Sequence, residues 1–125
     1  MKKLILILSL LFLSTPSFGE WKKVATTHNS EWFLDMDNIK KKSNIVYFWR
    51  ILNITDNDPK WTSRSHRSYV KADCDELKFI KLQTTSWSGQ MATGDLLFTY
   101  GKETDWSYPP PGSYSKDVLE IVCNY

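Results

Sequence analysis

Two carboxylate pairs, two histidines, a serine–glycine run and two cysteines are the groupings in this chain whose types and spacing could support chemistry. Asp35-x-Asp37 and Asp56-x-Asp58 both begin as a calcium loop does, with oxygen ligands at alternate positions. Neither continues, because the fifth positions are Ile39 and Lys60 and no glycine follows at the sixth. Helix capping and turn formation account for both pairs. His28 and His66 have no H-x-x-x-H spacing and no neighbouring Cys or carboxylate grouping, so they read as a solvated loop residue and a strand residue rather than metal ligands. Ser86-Trp87-Ser88-Gly89 lacks the leading glycine of a nucleophile elbow, and no glycine-rich loop is present to cradle a phosphate. The expectation is a protein that is not an enzyme, with no cofactor and no metal. A small hydrolase or inhibitor would need His28 or His66 to meet a carboxylate in a cleft.

Cys74 and Cys123 depend on where the protein resides. Met1–Gly19 carries Lys2 and Lys3, an apolar run from Leu4 to Leu13, a breaker at Pro16 and small residues at Ser17 and Gly19, the layout of a secretory signal peptide cut before Glu20. The run is shorter than the roughly 20 residues a membrane-crossing helix needs. No Cys follows the cut, so a lipid-modified N-terminus is not expected. An even cysteine count in an exported domain favours one disulfide over a free nucleophilic thiol. Closing a loop across the 49 residues between them would stabilise the fold by about 4 kcal/mol through the unfolded chain.

Losing the leader removes two of the 16 basic residues and none of the 14 acidic ones, so the exported domain, residues 20–125, is formally neutral. Nucleic-acid binding through a basic surface loses its support. No later apolar stretch reaches membrane-spanning length, so no transmembrane segment is expected in the exported chain.

The elements that must hold these residues are strands followed by one helix. Trp21–Thr26 and Glu31–Leu34 are short strands around a turn at His28-Asn29-Ser30. Asp35–Asn38 caps a single helical turn running into Ile39 and Lys40-Lys41-Lys42, broken at Ser43-Asn44. Ile45–Thr55 is apolar on both faces apart from Arg50, as a covered central strand would be. Arg64–Cys74, Leu77–Trp87 and Asp95–Tyr100 continue an antiparallel meander. In the first of these strands Arg67, Tyr69, Lys71 and Asp73 share one face, and Ser68, Val70, Ala72 and Cys74 the other. Pro109-Pro110-Pro111-Gly112 ends the sheet. Ser113 then caps a helix whose apolar stripe is Tyr114, Val118, Ile121, Val122 and Tyr125. The predicted class is α+β: an antiparallel sheet of about six strands with a C-terminal helix packed on it and tied by Cys74–Cys123.

The residues Glu20-Trp21-Lys22-Lys23-Val24, Phe33-Leu34-Asp35-Met36-Asp37 with Ile39 and Lys40, Trp49, Asn53, Ala72-Asp73-Cys74, Ser88-Gly89, Pro110-Pro111-Gly112-Ser113 and Val122-Cys123 occur in that order. This sequence resembles the surface-adhesin protein E family of Gram-negative bacteria over nearly the whole exported chain. The resemblance implies the same sheet, helix and disulfide. It also implies a secreted or envelope-attached protein, in some members an adhesin for host extracellular-matrix proteins.

Surface material remains as the source of function. Lys40, Lys41 and Lys42 form a charge run, Trp61 neighbours Arg64 and Arg67, and Trp106 and Tyr108 stand beside a stiff proline run. Aromatic and Arg side chains dominate protein–protein hot spots, and a rigid backbone lowers the cost of binding. Of the exported residues 16 are aromatic, and a small sheet domain is expected to place most of them in its core. The candidate partner-binding residues are therefore Lys40, Lys41, Lys42, Trp61, Arg64, Arg67, Trp106 and Tyr108. They belong to an exported, adhesin-like domain at the periplasm or cell surface that binds a protein partner, extracellular-matrix protein included, and is compatible with a homodimer. The alternative is a periplasmic structural or accessory domain with no host ligand.

Overall fold

The β-branched and aromatic residues that alternate along the chain pair into one sheet, seen in a computed structural model describing residues 20–125; the predicted signal peptide lies outside the described residues. Seven strands are present: β1 (Trp21–Thr26), β2 (Ser30–Asp35), β3 (Lys40–Lys42), β4 (Ile45–Ile54), β5 (Ser65–Asp73), β6 (Lys78–Trp87) and β7 (Leu96–Tyr100). All pairings are antiparallel, in the order β1-β2-β4-β5-β6-β7. The expected α+β class, the sheet and the C-terminal helix are all present.

One local expectation is corrected. The helical turn comes earlier than expected, at Met36–Asn38, and Lys40–Lys42 is a strand rather than part of that turn. β2 and β3 lie end to end on the same edge of β4, β2 against Leu52 and its neighbours, β3 against Ile45–Tyr47. Lysine has little intrinsic strand preference, so it is pairing with the strong strand β4, across the tight Ser43-Asn44 turn with Ser43 at φ 57°, that holds this run extended.

Helix α1 (Tyr114–Cys123) starts at Ser113, whose Oγ accepts the Lys116 N–H. Its spacing of three and four places Val118, Leu119 and Val122 against Leu34, Val46, Phe48, Val70 and Ala72, and these eight side chains form the main core. The buried stripe is thus centred one position from the sequence expectation: Leu119 is inside, while Tyr114 and Tyr125 stay exposed. Cys74, just past β5, joins Cys123 at the last turn of α1 with Cα atoms 5.7 Å apart. Lys41 completes the clasp, its Nζ donating to the carbonyls of Cys123 and Tyr125 at 2.9 and 3.0 Å.

Candidate partner-binding face

Because α1 covers one face, the sheet's other face is left for a different use. Strand alternation puts Tyr47, Trp49 and Ile51 of β4 there, with Arg67, Tyr69 and Lys71 of β5 and Lys78, Ile80 and Trp87 of β6. Beyond the end of β7 the chain returns along the edge of β6, where Phe79 and Ser107 exchange two backbone hydrogen bonds of 3.0 and 2.8 Å. Phe79 points into the helix-side core, so the neighbours of Ser107, Trp106 and Tyr108, stand on the open face. Lys40 and Lys42 reach it too, opposite Tyr47 and Ile45.

These side chains form one continuous row of rings and cations. The Arg67 guanidinium lies between Trp49 and Trp87, 5.4 and 5.7 Å from their ring centres. Trp49 packs on Tyr69 at 4.7 Å, and Tyr69 stacks with Tyr47 at 6.1 Å. Lys71 Nζ bridges Tyr47 and Trp106 at 6.0 and 5.7 Å, and Lys78 Nζ bridges Trp106 and Tyr108 at 4.8 and 5.9 Å. Each contact contributes about 0.5–1 kcal/mol where partly exposed. Together they hold long side chains in fixed rotamers and so lower the entropy a partner would otherwise have to remove. Lys78 sits above its ordinary value because it donates to the Glu76 carboxylate at 2.6 Å, with Tyr108 adding to the effect. Asp73, at the hairpin beneath, is held below the usual carboxylate range by the N–H groups of Glu76 and Asp75 and by Asn44.

At its far end the face is closed by the β6–β7 loop. The Met91 N–H donates to Asn53 Oδ1 at 2.8 Å and the Ala92 N–H to Ser65 Oγ at 2.9 Å, with both loop residues in the left-handed region. Gly94 (φ 78°) is required there, because a Cβ would come within 2.5 Å of Ser88 Oγ.

Of the sequence candidates, Arg67, Trp106, Tyr108, Lys40 and Lys42 converge on this face. Lys41 turns to the other side and engages the helix end. Trp61 and Arg64 are separated from Arg67: Trp61, 48% exposed, sits at a cleft of about 190 Å³ beside Leu52, Ile54 and His66, and the Arg64 guanidinium donates to the Asp56 carbonyl. Tyr47, Trp49, Tyr69, Lys71, Lys78 and Trp87 were missed as surface residues. The expectation that most aromatics fill the core fails, since Phe48 is the one aromatic among the fully buried large side chains. Its signal was present in the alternation Arg67-x-Tyr69-x-Lys71, a face too charged to be a core. Among the described residues no group of three or more His, Cys, Asp or Glu is placed to hold a metal ion, and no helix is long and apolar enough to cross a membrane. His28 is exposed, and His66 pairs with Ser86 Oγ at 2.7 Å.

The sequence model described as Surface-adhesin protein E matches residues 21–124. Crystal form II of Haemophilus influenzae protein E superposes with a TM-score of 0.66 at 17% identity, covering 88% of this chain and 91% of that one. Protein E from non-typeable Haemophilus influenzae gives 0.61 at 17% identity, covering 89% and 79%. At this identity the likeness is one of fold. No curated protein sequence matches the chain.

Proposed function

The chain belongs to the surface-adhesin protein E family, and from that premise we propose that it is an exported, non-enzymatic binding domain that grips a protein partner with the open face of its sheet. The observation that carries this reading is the row from Trp87 through Arg67, Trp49, Tyr69, Tyr47, Lys71, Trp106 and Lys78 to Tyr108. It is made of the residue types that supply most binding energy at interfaces, and all but the exposed Tyr108 are held half-buried rather than in the core. Its cations favour a partner with acidic side chains, and host extracellular-matrix proteins are the class this family suggests. Export by the N-terminal segment places the domain where such partners are reachable.

The test is solid-phase binding of the exported chain to a panel of matrix proteins, with Trp106→Ala and Arg67→Ala beside the natural protein. A central hot-spot truncation should weaken binding by about tenfold or more, and added salt should weaken the natural protein. Binding that survives both substitutions refutes this use of the face. Full protection from protease on intact cells, with no matrix binding, would support the periplasmic accessory role instead. A homodimer would form on β7, one of the two edge strands of the sheet, where Leu96, Phe98 and Tyr100 are 52%, 54% and 54% exposed. A second copy pairing edge to edge would cover them, and light scattering after size exclusion reads the mass.

A further inference from the structure

The helix side of the sheet is only half covered by α1. At its edge and beyond, two mixed rungs cross the sheet: Leu34, which still packs against α1, stands in line with Arg50, Ser68, Thr84 and Tyr100, and next to them run Trp32, Leu52, His66, Ser86 and Phe98. Most hydroxyls here are satisfied internally, Ser68 Oγ with Thr84 Oγ1 at 2.9 Å and Ser86 Oγ with His66 Nδ1 at 2.7 Å.

Arg50 is not. It is 9% exposed, yet its guanidinium makes no hydrogen bond and no ion pair with any described residue. Its Cζ lies 4.9 Å from the ring centre of Trp32, whose own Nε1–H is buried without an acceptor. Among the described residues neither donor group has a protein acceptor, and a charge taken out of water is costly unless it is paired. Glu103, the acid whose charge favours the Arg50 cation, is otherwise engaged: its Oε1 accepts the Lys81 N–H at 2.9 Å and its Oε2 lies 3.8 Å from Lys81 Nζ. Along the same rung opens a cleft of about 490 Å³ lined by Lys81, Thr84, Tyr100, Lys102 and Glu103. The cleft lining thus holds two cations, Lys81 and Lys102, against one carboxylate, and Arg50 stands on the same rung across Ser68 from Thr84. Burial pulls Arg50 down to about 10, with Glu103 partly restoring it. Burial and then Lys81 and Arg50 hold His66 low.

We propose that Arg50 and Trp32 form an oxyanion site, in which the free edge of the guanidinium takes a carboxylate or phosphate group in a two-pronged grip and the indole N–H supplies a further donor. Its position over the Trp32 ring restricts the guanidinium, whose fork matches the spacing of two oxygens on either group. The site is on the opposite side of the sheet from the partner-binding face and does not depend on it.

The test uses the exported chain labelled with nitrogen-15. Its six tryptophan indole signals are followed while sodium acetate or sodium phosphate is added at ionic strength held constant with chloride. Trp32→Phe assigns the Trp32 signal. A saturable shift of that signal is expected, with acetate if the source is a carboxylate and with phosphate if it is a phosphate group. Arg50→Gln, and Arg50→Lys as the variant that keeps the charge but loses the fork, should weaken it at least about tenfold. Glu103→Gln should tighten it by removing the one opposing charge. No saturable shift with either anion overturns the site, as does an unchanged shift in the Arg50 variants. Weakening by Glu103→Gln would make Glu103 the guanidinium's partner and overturn it equally.

Discussion

Removing the Cys74–Cys123 bond should be the most costly single change to the fold that leaves every noncovalent contact in place. The bond closes a loop spanning 49 residues, and loop-closure entropy over that length corresponds to about 4 kcal/mol at room temperature. A domain of roughly 100 residues unfolds with an entropy near 0.2 kcal/mol/K, so the melting temperature should fall by roughly 20 °C. Since such domains have stabilities of about 5–15 kcal/mol, the reduced protein should still fold, though with little margin. The Val118, Leu119 and Val122 contacts remain, so α1 should stay docked in the cold reduced protein. Calorimetry of the Cys74→Ala/Cys123→Ala variant and of the natural protein with and without reductant gives the number, and far-ultraviolet circular dichroism checks that the helix persists. A melting temperature lowered by less than about 5 °C would refute the reasoning, because the unfolded chain would then be constrained by something other than the clasp.

Three further outcomes follow from the same contacts. Leu119→Ala, with Leu119 1% exposed beneath α1, should cost about 2–5 kcal/mol in urea unfolding, with the disulfide intact. Ser113→Ala removes the oxygen that accepts the Lys116 N–H and should cost about 1 kcal/mol by the same measurement. His66 is held below its ordinary 6.5 by burial and by Lys81 and Arg50, so the unfolded chain takes up its proton first as pH falls. Stability should therefore be level above about pH 6.5 and decline below it, a slope that His66→Gln flattens in melting scans across that range; the same slope in the variant would assign it to other groups.

Strands and helix were legible because long elements carry their own periodicity. β4, β5 and β6 span nine or ten residues each and alternate visibly, and the spacing of three and four in α1 needs no tertiary information. The cysteine pairing was legible for another reason: strand phase puts Cys74 on the side where the helix must lie. β3 was not legible, because nothing in three consecutive lysines announces a strand and the decision is made by β4. The open face was hidden by a correct rule applied too broadly. Aromatics do fill cores, but among the described residues one helix is available to cover two faces, and the main core is supplied by Leu34, Phe48, Leu119 and the valines around them. The remaining rings had to stand on the other face, where strand alternation then delivered Arg67, Lys71 and Lys78 between them.

That shortage of covering elements accounts for both surfaces. A single ten-residue helix is about 15 Å long, while the sheet is six strands wide at roughly 4.8 Å a strand, so α1 shields the β4–β5 centre and little else. What it leaves bare must be made compatible with water by other means. On the open face this is done by interleaving cations with rings, which leaves the rigid, amphipathic surface proposed above to receive a protein partner. On the helix side, the rungs beside α1 carry hydroxyls, an imidazole and Arg50, the group proposed above to take an oxyanion. A second helix over either half would cover the corresponding surface, so both proposed sites rest on the same economy of the fold.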